Sequence, residues 1–110
     1  MKKDPLVAVR VKQILDLVKD ISPGKSVELR IPPYSAIQCV EGAVHRRGTP
    51  PSVVEMSPQT LINLVTQPEL WKEFHDSGLI SASGTNSDLS TLFIKVGKLI
   101  QNINWSSNGK

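Results

Sequence analysis

The chain has 110 residues, of which 39% are hydrophobic and 21% charged, with a formal net charge of +3. That length suits one domain, expected to span 1–110, and such a domain buries roughly 65% of its extended surface, enough for a core without staples. One cysteine, Cys39, excludes an intrachain disulfide, and no segment approaches the ~20 consecutive apolar residues of a membrane-spanning helix.

These totals set further expectations. Cys39 sits in an apolar run and reads as a buried free thiol, which fits a reducing, cytoplasmic setting. The opening Met1-Lys-Lys-Asp-Pro5 is followed by Arg10, Lys12 and Gln13, unlike the apolar region of a signal peptide. The modest positive charge gives only mild attraction to anionic surfaces.

Asp4 and Pro5 form a cap and first-turn pair. Val7, Val9 and Val11 alternate as a strand would. The longer series Val7, Val11, Ile14, Leu15, Val18 follows helical spacing, and length favours a helix from Pro5 to about Asp20. Ser22-Pro-Gly-Lys25 is a turn. From Ser26 to Ile31, Val27, Leu29 and Ile31 alternate with polar residues, as in a half-buried strand. Pro32-Pro33 ends it, since neither can donate to a ladder. Ser35 to Val40 reads as a second strand and Ala43 to Arg46 as a short third. Arg47 to Pro51 is a loop stiffened by proline, and Val53 to Met56 is a strand.

Ser57-Pro58 opens another helix, with Leu61, Leu64 and Val65 inward. Pro68 punctuates and opens a second short helix, with Leu70, Trp71 and Phe74 inward. Gly78 suits the left-handed position past its end. Ile80 and Ala82 share one face of a strand running to Gly84. A last helix is expected from near Asn86, with Leu89, Leu92, Phe93, Val96, Leu99, Ile100 and Ile103 on one side. Gly97 lies inside that stripe and suggests either close packing or a kink. Residues 104–110 are polar apart from Trp105 and read as a frayed tail.

The order strand, two short helices, strand, helix resembles the second half of a sterol carrier protein domain. The residues that carry the likeness are Thr66, Gly78, Ile80, Ala82, Gly84 and Leu89. Gln67 stands where that family usually has glycine, and Phe74 where a small residue is common. Upstream, Arg30-Ile-Pro-Pro-Tyr34, Ile37-Gln-Cys-Val40 and Arg47-Gly-Thr-Pro-Pro-Ser-Val-Val-Glu55 resemble short stand-alone bacterial members of the group. The resemblance implies an α+β fold with an N-terminal helix and a small curved, mostly antiparallel sheet of 4–5 strands. Two short helices cross over before the last strand, and a C-terminal helix follows.

Signs of catalysis are few. His45 and His75 lie in different elements without ligand-spaced partners, so no metal is expected. No nucleophile elbow, phosphate loop or dinucleotide fingerprint occurs. Neither an enzyme nor a cofactor is expected. The cluster His45-Arg46-Arg47 fits a solvated loop ion-paired with Glu55. Arg46 and Arg47 are also headgroup candidates for a carboxylate or phosphate at a pocket mouth. Nucleic acid is not expected, because only Tyr34 supplies an aromatic platform near the cluster.

The apolar stripes form core whatever the function. In the family resembled, the gap between sheet and C-terminal helices is a tunnel for fatty acyl chains or sterols. That implies a non-catalytic lipid carrier for a fatty acid, acyl-thioester or sterol-like ligand. Its candidate lining is Leu61, Leu64, Val65, Trp71, Phe74, Ile80, Leu89, Leu92, Phe93 and Val96. The alternative is a protein-docking or accessory module, self-associating or docking to an enzyme through the last helix without lipid. The carrier reading expects a monomer; the docking reading expects a weak dimer or a separately encoded partner.

Overall fold

The computed structural model describes residues 4–42 and 52–103. The predicted third strand Ala43–Arg46, the headgroup candidates Arg46 and Arg47, and the tail 104–110 lie outside the described residues. The elements run α1 (Pro5–Ile21), β1 (Val27–Ile31), β2 (Ser35–Cys39), β3 (Ser52–Met56), α2 (Pro58–Thr66), a 3₁₀ turn (Pro68–Leu70), α3 (Trp71–Asp76), β4 (Ile80–Ser83) and α4 (Ser90–Ile103). This is the expected α+β arrangement.

Local chemistry accounts for most boundaries. The Asp4 carboxylate accepts from the Leu6 and Val7 N–H groups, with Pro5 in the first turn behind it. Ser57 Oγ accepts from the Thr60 N–H at 3.1 Å ahead of Pro58. Each cap satisfies a donor that the helix start leaves open. Gly78 takes a left-handed φ of 87° beyond α3. β2 stops at Cys39 because Val40 turns to φ 68°. The Pro32–Pro33 bond in the β1–β2 turn is cis.

The sheet order is β2-β1-β3-β4. β1 pairs antiparallel with β2, and β3 antiparallel with β4. The central β1–β3 pair is parallel, with Val27 beside Ser52 and Leu29 beside Val54. This mixed sheet buries one face only. Val27, Leu29, Ile31, Val54, Met56 and Ile80 point into the core and are at most 3% exposed. The opposite face carries Glu28, Arg30, Gln38, Val53, Glu55, Ser81 and Ser83, with Glu28 and Val53 partly covered. Arg30 reaches Glu28 at 3.3 Å and Glu55 at 3.8 Å across it. Glu55, expected beside Arg46 or Arg47, thus finds its described partner in Arg30.

The helices cover the apolar face. Val11, Ile14, Leu15 and Val18 of α1 join Leu61, Leu64 and Val65 of α2 and Phe93, Val96 and Ile100 of α4 in one cluster. Full burial of such a side chain is worth about 1.5–3 kcal/mol. Leu99, expected in the stripe, is 39% exposed. Gly97 is where α4 meets α2: a Cβ there would fall 2.5 Å from the Val65 carbonyl oxygen. Close packing therefore explains this glycine.

α4 begins at Ser90, four residues later than Asn86. The segment before it forms turns of its own. Ser87 Oγ donates to the Gly84 carbonyl at 2.9 Å, and the Asn86 N–H donates to Ser52 Oγ at 3.1 Å. Ser26 and Ser52 are fully buried. The Ser52 N–H donates to the Ser26 carbonyl at 3.2 Å, Ser26 Oγ donates to the Val40 carbonyl at 2.7 Å, and Asn86 Nδ2 lies 3.4 Å from Ser26 Oγ.

Candidate functional site

The ten apolar candidates converge, as their spacing implied. Leu61, Leu64, Val65, Trp71, Ile80, Leu89, Leu92, Phe93 and Val96 are all at most 8% exposed and belong to one cluster. Phe74 is half-buried and packs against it. The Trp71 and Phe93 rings stack at 6.2 Å with 25° between their planes. Most of these side chains are packed against each other, and only three reach a cleft.

Two clefts flank the start of α4. The first, of about 430 Å³, lies between the 3₁₀ turn, α3, β4 and α4. Its apolar lining is Pro68, Trp71, Ala82 and Ile94. The second, of about 360 Å³, is lined by Leu89 and Leu92 with Ile21, Val40, Asn86 and Lys95. Asp88 borders both. Volumes of 300–1,000 Å³ are usual for small-ligand sites.

The electrostatics of the first cleft come from Glu69, Lys72, His75 and Asp88, all exposed members of its lining. Lys72 Nζ donates to Asp76 Oδ2 at 2.7 Å. The pair holds the Lys72 ammonium above its usual range and the Asp76 carboxyl below its own. Asp88 Oδ1 accepts the Ser90 N–H at 3.0 Å, capping α4. The Ser90 backbone and side chain hold the Asp88 carboxyl below its ordinary range, with a smaller push in that direction from His75.

His75 faces Asp76 at 3.7 Å on an exposed helix end. Cys39 is buried, and its thiol is pushed up to about 11 by desolvation, the opposite of an activated nucleophile. Among the described residues, no three His, Cys, Asp or Glu side chains gather as metal ligands, and no helix is long and apolar enough to cross a membrane.

The fold, the buried Leu61-to-Val96 cluster and the clefts beside α4 agree with a match to the family described as bacterial SCP ortholog, which covers residues 3–94. The chain belongs to that sterol carrier protein family. No curated protein matches it. Membership of that family suggests a domain of the lipid-carrier type.

Sequence reasoning identified Trp71, Leu89 and Leu92 among the cleft residues but passed over Pro68, Ala82 and Ile94. A helical projection of α4 places Ile94 among polar residues, about 100° beyond Phe93, so the apolar periodicity gave no reason to include it. Ala82 was legible as an inward strand residue, but its place at a cleft depended on how α3 crosses β4.

Proposed function

We propose that the domain is a non-catalytic lipid carrier that holds a fatty acyl chain or sterol-like ligand between the sheet and α4. The observation that carries this reading is the 430 Å³ cleft floored by Pro68, Trp71, Ala82 and Ile94. Trp71 joins its lining to the buried candidate cluster, and its size suits a chain end or a ring system. To go deeper, the ligand displaces the stacking of Trp71 on Phe93, and α4 moves outward to admit it.

The energetics suit reversible loading. Ten methylenes transferred from water contribute roughly 8 kcal/mol gross. Lost translation, chain ordering and the exchanged side-chain contacts offset much of that, leaving affinity on the order of micromolar. A carrier that must also release its ligand works in that range.

The test is displacement of a fluorescent lipid with an uncharged polar end, together with native mass spectrometry for co-purified lipid. Wild type should bind saturably at about one ligand per chain. Ile94→Asp puts a charge on an exposed position at the mouth and should weaken binding more than tenfold while leaving the circular dichroism unchanged. Absence of saturable binding up to the solubility limit refutes the carrier reading.

A second reading is a protein-docking module. Ile94 and Leu99 on α4 are 43% and 39% exposed and support it. A concentration-dependent increase in mass by size exclusion, with no lipid uptake, favours that alternative.

A further inference from the structure

We infer that the Trp71 cleft selects amphiphiles whose polar end is an ammonium group and disfavours free carboxylates. This deepens the carrier reading and rests on it. The apolar floor accepts any chain; the charges around it decide what the chain is attached to.

Four exposed lining residues are ionisable: Glu69, Lys72, His75 and Asp88. The one lysine is already engaged, with its Nζ hydrogen-bonded to Asp76 Oδ2 at 2.7 Å. His75 Nδ1 faces the same aspartate at 3.7 Å. Among the described residues, neither Glu69 nor Asp88 forms an ion pair with a lysine or arginine. Asp88 spends one oxygen on the Ser90 N–H at 3.0 Å and remains an anion. With histidine counted as neutral and the Lys72–Asp76 pair as cancelled, two carboxylates are left over.

A ligand carboxylate at this mouth meets two like charges, and the one lysine of the lining is already paired. An ammonium meets two opposite charges. Trp71, 7% exposed and stacked on Phe93, floors the cleft beneath those charges.

The experiment uses the full chain and three probes of equal chain length: dodecyltrimethylammonium, dodecanol and dodecanoate. Each competes below micellar concentrations against the uncharged fluorescent lipid, at low salt and about pH 8, where an imidazole is ordinarily neutral. The ammonium should bind tightest and dodecanoate at least about tenfold more weakly. The gap should narrow in about 0.5 M salt. The double variant Glu69→Gln with Asp88→Asn keeps an oxygen on residue 88 for the helix cap. It should bring the ammonium to within about twofold of dodecanol, each measured on the variant.

If dodecanol binds but dodecanoate binds as tightly as the ammonium, or tighter, this inference is overturned and the carrier reading stands. A double variant that keeps the ammonium preference also overturns it. If none of the three binds, both readings fall.

Discussion

Gly97→Ala sets two effects of opposite sign against each other. Helix propensity alone favours alanine by about 1 kcal/mol. Against that, the new Cβ would lie 2.5 Å from the Val65 carbonyl oxygen and 3.4 Å from Pro68 Cγ. The nearer atom is backbone near the C-terminal end of α2, so it cannot rotate away; α4 or α2 must shift. Overpacking of this kind costs about 1–3 kcal/mol. The clash should win, for a net loss of up to about 2 kcal/mol. In a domain this size each kcal/mol moves the midpoint by about 4–8 °C. Thermal and urea unfolding measure it, with Thr91→Ala, on the exposed side of the same helix, as a control expected to be neutral or stabilising. A rise in midpoint for Gly97→Ala would mean that α4 does not pack against the Val65 carbonyl as described.

Two further outcomes follow from the titratable groups. The folded-state pKa of Asp88 is depressed by Ser90, so its stabilising effect is present above the unfolded carboxylate range and is lost as pH falls through the folded value. Wild type should therefore exceed Asp88→Asn in stability at neutral pH, and the gap should shrink as pH falls below the unperturbed carboxylate range. A gap that does not shrink with falling pH means the charge is not what stabilises the helix start. Cys39, fully buried with its thiol raised to about 11, should react with a disulfide reagent at pH 8 only as the domain opens. Labelling at the rate of a free thiol in the folded protein contradicts that burial.

The local elements were legible where a chemical group settles them. Asp4-Pro5, Ser57-Pro58 and Gly78 mark three boundaries with a cap oxygen, a fixed φ or a missing Cβ, and each functions as expected. The alternation of Val27, Leu29 and Ile31 likewise marked one buried face. Less legible were the features decided by distant segments. The parallel β1–β3 pairing joins strands separated by a hairpin and a long connection, and no local pattern encodes it. The start of α4 was placed early because Thr85, Asn86 and Ser87 all resemble caps. Asn86 is instead held by Ser52, and Asp88 takes the capping role. The ten site candidates were found as a set because burial follows periodicity. Which of them border a cleft depends on helix crossings, and Ile94 and Ala82 came to light only there.

The two fully buried serines have a consequence for assembly. Ser26, Ser52 and Asn86 belong to three stretches up to sixty positions apart, joined where the two serines lie out of water. The Asn86 amide proton is spent on Ser52. It should therefore resist deuterium only while the segment ahead of α4 is seated on β3, making it a single-site gauge of that docking.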